Sequence, residues 1–282
     1  MQKRMQKSVM AKTVGCWLTL ILCLFAGQAQ AVLMITPFRV VLDEKTRTAE
    51  VTLLNTTEVA NVYRMSWQDK EQTGLGSYIN VEMPEENNHG VSEMVRQSPR
   101  KVTIEPGKYQ RIRLRLRMPS DLPDGEYRSH LVMKMVEDDI KKKKEVAEKV
   151  NSVIVKLTAK VSFSIPIMVR KGQNNSVASI STMDLDASEP NNPKLTVGLA
   201  HSGEYSNYGS VKVYMKNGAA GDVVEIGDVG NVALFRETKL RELTVPLKVP
   251  NIPRGAIVQV VYEGEDEYES EQLATAAFTY NP

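Results

Sequence analysis

Apolar and polar side chains alternate with a period of two along most of the chain after residue 31. Arg111–Arg117 is the clearest case, because four arginines there alternate with three aliphatic residues. Thr48–Leu54 and Val62–Trp67 also alternate, and segments such as Glu105–Gly107 separate the runs. Alternation is typical of β-strands with one face in a core and one in solvent, and proline–glycine segments are typical of turns. The first half therefore predicts a series of strands joined by turns.

The second half of the chain continues this pattern after an interruption. Its alternating runs are Lys194–Leu199, Ser210–Tyr214, Leu240–Leu247 and Ile257–Tyr262. The alternation stops at Arg170–Asn175, where polar and turn-forming residues take over. About 140 residues of the exported chain precede this break and about 110 follow it, and each is a normal size for one sandwich. We predict an all-β protein with two immunoglobulin-like β-sandwich domains, residues 32–170 and residues 171–282.

The first 31 residues have the composition of a secretory signal. Four basic residues and no acidic residue precede an apolar run at Cys16–Ala26, and alanines flank Gln30. This order is that of an export signal with cleavage after Ala31. The run of about 11 residues is shorter than the roughly 20 that a membrane-spanning helix needs. We therefore expect residues 1–31 to be removed and the remaining chain to be released without a membrane anchor.

Charge and cysteine content narrow the classes of partner. Of the 36 lysines and arginines, four lie in the predicted signal, which leaves 32 against 34 acidic residues. This near balance gives no reason to expect nucleic acid or a membrane surface as a partner. Both cysteines, Cys16 and Cys23, also lie in the signal, so the exported chain must fold without disulfides.

Residues that could support catalysis are few. The three histidines, His89, His130 and His201, are not spaced as metal ligands, and neither a G-x-S-x-G motif nor a glycine-rich phosphate loop occurs. We therefore predict no enzyme activity, no cofactor and no metal, and we expect His130 to be a packed or surface residue of a strand. A Ser-His-Asp site assembled across the fold stays open as an alternative, because such triads are recognised by geometry.

The segment from Val153 to Val169 carries the strongest functional signal. Every odd position is apolar, whereas the even positions from 156 to 164 are polar. A strand of this length exceeds the usual ~5–6 residues. Two interpretations stay open: a long core strand that crosses between sheets, or an exposed edge whose apolar row is offered to a partner that lacks a strand. The charged segment before it, Val136–Val150, is interpreted as a solvated loop whose lysines oppose unwanted pairing of sheets.

Arginines stand out at two places in the first half. Arg111, Arg113, Arg115 and Arg117 point away from the apolar residues of the same run, so we expect them on a solvated outer sheet face. Arg39 is different, because it lies within the largely apolar segment Ile35–Leu42. A charge there must reach solvent or a counter-ion, since burying it alone is costly. On spacing alone, Arg39 is predicted to be a surface arginine.

Several motifs, taken in order, resemble those of the periplasmic pilus-assembly chaperones of the chaperone–usher pathway, the PapD-like family, in one of its less typical branches. Ser98–Gly107 with Gln110–Arg113 is similar to the family's Pro-Arg, Leu-x-Pro-Gly and Gln-x-x-Arg pattern. Leu122–Ser129 resembles the next loop and strand, Ser164–Arg170 the end of a long strand, and Gly203–Gly209 the second-domain signature. The resemblance covers nearly the whole chain after the signal.

The resemblance implies a periplasmic, ATP-independent chaperone with its two domains in a boomerang arrangement. Such a protein binds pilus or fimbrial subunits that lack a strand, lends them its own long strand, and passes them to an outer-membrane usher. The residues that would contact the subunit are Arg39, Val155, Leu157, Ala159, Val161 and Phe163. Arg39 would bind the subunit's C-terminal carboxylate through two hydrogen bonds. Glu126 and Arg170 would form a pair that braces the two domains.

The sequence departs from the family pattern at one position. The family's second cleft base, a lysine, would fall on Pro166, and the nearest lysine before it on the strand is Lys160. Either Arg39 acts alone, or another base substitutes, or the assumed register is wrong. A self-capped homodimer would cover the exposed strand of the free protein. A pilus subunit or adhesin is the structural alternative and a periplasmic hydrolase the enzymatic one, although a subunit would usually be one incomplete domain with a disulfide.

Overall fold

The computed structural model describes residues 32–82, 89–136, 161–189, 191–218 and 221–282. The strands of the first domain are β1 Leu33–Thr36, β2 Val40–Leu42, β3 Thr48–Asn55, β4 Asn61–Gln68, β5 Lys70–Gln72, β6 Tyr78–Asn80, β7 Val95–Ser98, β8 Lys101–Ile104, β9 Tyr109–Leu116, β10 Gly125–Val136 and β11 Ser162–Lys171. Those of the second domain are β12 Val177–Asp186, β13 Lys194–Ser202, β14 Asn207–Lys216, β15 Val223–Leu234, β16 Leu240–Pro246, β17 Ile257–Gly264 and β18 Gln272–Thr279. A short 3-10 helix, Asp266–Tyr268, lies between β17 and β18. Among the described residues, no helix has the length and apolar composition needed to cross a membrane.

Two sheets face each other in the first domain, in the orders β1-β3-β9-β7 and β2-β11-β10-β4-β8. Neighbouring strands are antiparallel except that the short β2 runs parallel to β11. Ile112, Leu114 and Leu116 of β9 are buried between the sheets, whereas the arginines that alternate with them are exposed. The predicted solvated face of the arginine row is therefore confirmed.

The second domain is a smaller sandwich with sheet orders β12-β13-β16 and β15-β14-β17-β18. Leu195, Val197 and Leu199 of β13 are fully buried and belong to the same cluster as Val211 and Val213 of β14. This cluster is separate from the core of the first domain. The predicted fold class, an all-β protein with two β-sandwich domains, is confirmed.

A third apolar cluster lies where the two domains meet. It contains Met168 of β11 and four residues of the second domain: Tyr208, Ala233, Phe235 and Tyr268. The connection between the domains is short, since β11 ends at Lys171 and β12 begins at Val177. Apolar burial at this junction stabilises contact between the domains. The domain limits at residues 170 and 171 stay a prediction.

The β5–β6 hairpin extends from the first domain onto the second. The main-chain oxygen of Gly74, in its turn, accepts a hydrogen bond from the amide of Glu242 at 2.7 Å. The amide of Gln72 donates to a carboxylate oxygen of Glu237 at 2.9 Å. The hairpin is therefore part of the interface between the domains, and its position is fixed by residues far away in the sequence.

Candidate functional site

The first part of β11 has an open edge. β10 pairs with β11 along its whole length, from Ser162 to Lys171. On the opposite side, β2 pairs only with Ile167–Val169. Within the described ranges, no strand pairs with Ser162–Pro166 on that side. The outward-facing main-chain groups of this stretch are therefore available to pair with another strand.

Two of the predicted subunit-contacting residues, Val161 and Phe163, lie at the beginning of this open edge. Phe163 is partly buried and packs against the core of the first domain. Ile165 and Ile167 follow on the same face and are buried in that core. The other predicted contacts on this strand lie outside the described residues: Val155, Leu157 and Ala159. The apolar residues at odd positions therefore continue from the core of the first domain to the first residues of the open edge. The role of Val161 and Phe163 in binding a subunit stays a prediction.

Arg39 lies between β1 and β2, at the boundary of the two domains. Its side chain is only 7% exposed, so the expectation of a surface arginine from spacing alone was wrong. Its Nη1 and Nη2 donate to Oε2 and Oε1 of Glu267 at 2.8 and 2.9 Å. Its guanidinium carbon lies 4.1 Å from the centroid of the Tyr208 ring, and the sulfur of Met168 lies 3.6 Å from Nη2. The second domain stabilises the buried charge of Arg39, because Glu267 supplies its counter-ion and Tyr208 packs against it.

Glu126 and Arg170 meet at the same boundary. Nε of Arg170 donates to Oε2 of Glu126 at 2.8 Å, and Nη1 of Arg170 lies 2.9 Å from Oε1 of Glu267. The amide and hydroxyl of Ser206, in the second domain, donate to Oε2 of Glu126 at 3.2 and 2.8 Å. Burial lowers the pKa of Arg170, but nearby Glu126, Tyr268 and Glu267 more than offset this, so the pKa is raised overall. Arg39, Glu126, Arg170 and Glu267 therefore form one chain of alternating charges, called here the cleft network.

A second charged contact, which the sequence analysis missed, holds the β5–β6 hairpin. Nη2 of Arg128 donates to Oε1 of Glu237 at 2.6 Å and to the main-chain oxygen of Lys70 at 2.8 Å. Its guanidinium carbon lies 3.7 Å from the centroid of the Phe235 ring. Polar and apolar residues alternate along part of β10, yet both faces of the strand are buried there. The second domain and the hairpin cover this face, and no local signal in the sequence marks that.

His130 is buried beside the same hairpin. Neither ring nitrogen has a hydrogen-bond partner among the described residues, and the side chain is almost fully buried. Tyr78 packs edge-on against the imidazole, with ring centroids 4.9 Å apart. Burial, followed by the charges of Arg128 and Lys70, lowers the pKa of His130 to about 3. The ring is therefore neutral at neutral pH, and His130 is a packed residue, one of the two outcomes expected from the sequence.

A cavity of about 300 Å³ opens between the domains beside Arg39. Its lining is mainly aromatic and apolar: Phe38, Arg39, Tyr78, Pro166, Tyr208, Asn231, Ala233 and Phe235. Pro166 therefore contributes an apolar ring where the resemblance implies a second base. Lys70 reaches the same strand from the hairpin, because its Nζ donates to Oγ of Ser164 at 2.8 Å. Burial lowers the pKa of Lys70. Its contact with Ser164, two residues before Pro166 on the same strand, makes Lys70 a candidate for the substitute base.

The remaining histidines contact groups other than a nucleophile. Nδ1 of His89 lies 3.0 Å from Nη1 of Arg236, and Nε2 of His201 lies 2.8 Å from the main-chain oxygen of Tyr205. Within the part of the chain that the structure describes, no group of three or more His, Cys, Asp or Glu side chains could hold a metal ion.

Comparisons with known proteins find similar structures, but they find no match by sequence. No protein-family model matches the chain, and no curated protein matches it. The YadV chaperone structure is 11% identical, with 88% of this chain and 100% of that chain covered and a TM-score of 0.45. The class 5 fimbriae chaperone CfaA is 16% identical, with 89% and 99% covered and a TM-score of 0.43. The Pseudomonas aeruginosa CupB2 chaperone is 14% identical, with 88% and 100% covered and a TM-score of 0.40. Over most of its length, this chain is similar to solved structures of pilus and fimbrial chaperones.

Proposed function

We propose that this protein is a periplasmic chaperone that binds pilus or fimbrial subunits by donor-strand complementation and delivers them to an outer-membrane usher. The observation that carries the proposal is the open edge of β11, whose alternate side chains are apolar and which ends beside a buried arginine already bound to a carboxylate. An edge of this kind offers both main-chain hydrogen bonds and side chains to an incomplete sheet.

Strand donation would use both the main-chain groups and the apolar side chains of the edge. The main-chain groups of Ser162–Pro166, open on the side opposite β10, would pair with a strand of the subunit. The odd-numbered apolar side chains would fill its groove, because residues two apart in a strand point to the same face. In this proposal the donated side chains are those of Val155, Leu157, Ala159, Val161 and Phe163.

The cleft network would fix the subunit's end and the geometry of the two domains. Arg39 already holds a carboxylate through two parallel hydrogen bonds, which is the geometry that a chain-terminal carboxylate also requires. Glu126 and Arg170 link β10 and β11 to Ser206 of the second domain. We propose that this link keeps the open edge and the cleft arginine in a constant relative position, so that one subunit can contact both.

The remaining features of the proposal rest on the sequence and on the family resemblance. Residues 1–31 direct export, residues 32–170 form the domain that donates the strand, and residues 171–282 form the second domain. The protein uses no cofactor and catalyses no reaction, because strand exchange itself releases the subunit to the usher. In the absence of a subunit, two copies cover each other's edges as a homodimer.

Native mass spectrometry of the tagged protein, isolated from the periplasm of its own host, tests this function. A Leu157→Asp plus Val161→Asp variant places two charges on the apolar row, and a Thr158→Asp plus Ser162→Asp variant places the same charges on the opposite face. We expect a small secreted β-rich protein bound one-to-one to the wild type and to the control variant, but lost from the first variant. If all three proteins come out alone, from cells shown to make pilus subunits, the chaperone function is wrong.

A further inference from the structure

We infer that Glu267 is a resident carboxylate that occupies Arg39 in the free protein, and that a ligand's terminal carboxylate binds Arg39 by replacing it. The inference rests on the proposed function, in which Arg39 holds the end of a bound chain. It adds a regulatory step to that site: the second domain keeps the cleft arginine closed until a competing carboxylate arrives.

The edge of the Arg39 guanidinium that its two terminal nitrogens form is already occupied. Both terminal nitrogens already donate to Glu267, one to each carboxylate oxygen, in a two-point contact. One face of the group lies over the Tyr208 ring, and the sulfur of Met168 contacts Nη2. Two-point contacts between arginine and carboxylate are specific in geometry and strong. A ligand carboxylate that binds Arg39 through this edge therefore competes with Glu267 for the same two nitrogens.

Because Arg39 is buried, Glu267 has to be replaced by another carboxylate and does not simply move away from Arg39. Arg39 is almost fully buried, so loss of its carboxylate would leave an unpaired charge away from water. Breaking a buried pair by removing one partner is strongly unfavourable, whereas replacing one carboxylate by another keeps the charge paired. Asp266 lies 3.7 Å from Nη1 of Arg39 but is mostly exposed, so it makes only a weaker contact.

Glu267 has a second partner that would hold it after the exchange. Its Oε1 lies 2.9 Å from Nη1 of Arg170, and a quarter of its side chain is exposed to solvent. Arg170 is also paired with Glu126, so it stays in place while Glu267 turns away from Arg39. Leaving Arg39 therefore does not leave Glu267 without a counter-ion. The cleft network can change one of its contacts while the others persist.

The cavity beside Arg39 indicates the chemical class of the competing ligand. Its volume of about 300 Å³ and its aromatic rings suit an apolar side chain next to the carboxylate that Arg39 holds. Phe38, with 68% of its surface exposed, stands at the cavity and would lose that exposure to a bound group. The ligand is thus a peptide C-terminus whose last side chain is apolar or aromatic.

Titration with N-acetylphenylalanine and its primary amide tests the exchange, because the two compounds differ only in the carboxylate. Binding is measured by NMR on the full exported chain, with Glu267→Gln, which keeps the shape of the side chain without its charge, and Glu269→Gln as the matched control in the same turn. Because a neutral glutamine competes for Arg39 less well than a carboxylate, Glu267→Gln should bind the acid at least about tenfold more tightly than the wild type. The amide should bind all three proteins equally, and Glu269→Gln should match the wild type.

Equal affinity of the acid for the wild type and Glu267→Gln would overturn the inference, as would an equal gain for the amide. A second measurement needs no variant: the acid should shift the carboxyl ¹³C signal of Glu267 in the wild type, and saturation with the acid without that shift would also overturn it. Failure of the proposed chaperone function can be distinguished from failure of the carboxylate exchange. If the small acid displaces Glu267 but no pilus subunit co-purifies, the exchange stands and the chaperone function is wrong; if subunits co-purify without any effect of Glu267, the reverse holds.

Discussion

Replacing Glu126 by alanine tests whether the cleft network holds the two domains together. Glu126 is almost fully buried and accepts three hydrogen bonds, one from Arg170 and two from Ser206 of the second domain. Removing one partner of a buried ion pair costs about 3–5 kcal/mol. Arg170 keeps its contact with Glu267, so we expect a loss at the lower end, about 3 kcal/mol in the free energy of unfolding.

The assay is urea unfolding followed by two probes. Trp67 lies in the first domain, and the other tryptophan, Trp17, lies in the predicted signal, so fluorescence of the exported chain reports on the first domain alone. Far-UV circular dichroism reports on both domains. We expect coincident transitions for the wild type and separated ones for Glu126→Ala, because the variant weakens the link between the domains.

Glu50→Ala is the matched control. Glu50 pairs with Arg113 at 3.0 Å and with Arg111 at 3.6 Å, but all three side chains are well exposed. Exposed pairs of this kind are worth about 0–1 kcal/mol, so the control should change stability by less than about 1 kcal/mol. If Glu126→Ala and Glu50→Ala lose the same small amount, the cleft network does not stabilise the contact between the domains and the reasoning is refuted.

Two further predictions concern the hairpin side of the interface. The pKa of His130 is lowered to about 3 from an ordinary value near 6.5, so the unfolded chain binds a proton that the folded one does not, and stability is full above about pH 6.5 and falls as the pH drops toward 3. His130→Leu should flatten the dependence of the urea midpoint on pH between 6.5 and 5, and an unchanged slope would contradict the assignment. Arg128→Met should remove the contacts to Glu237 and to the main chain of Lys70, lower stability by about 2–4 kcal/mol, and speed cleavage within the β5–β6 hairpin in limited proteolysis. Cleavage at the wild-type rate would show that the hairpin is held by other contacts.

Much of the fold could be predicted because strand patterns are local. The alternation of Arg111–Arg117 separates a core face from a solvent face within the run itself, and the structure buries and exposes those residues accordingly. The break at Arg170–Asn175 covers most of the connection between β11 and β12. Such signals need only the period of the strand and the turn preferences of the residues between strands.

The limits of local pattern show in β10. Polar residues, including Arg128 and His130, alternate with apolar ones along part of this strand, but the second domain and the β5–β6 hairpin cover the polar face. Burial of a face depends on what packs against it, and the covering residues of the second domain, Phe235 and Glu237, lie more than a hundred positions away. Alternation along a strand therefore does not distinguish a solvent-exposed face from one that another domain covers.

The sequence by itself determined two β-sandwich domains and predicted an exported chain without disulfides. It also required the charge at position 39 to reach either solvent or a counter-ion, and it favoured solvent, which was wrong. Only the tertiary structure decided that the counter-ion is Glu267, 228 positions away, and that the same carboxylate also contacts Arg170. The reason is physical: the cost of burying a charge is a property of one residue, whereas the group that compensates it is chosen by how the two domains pack.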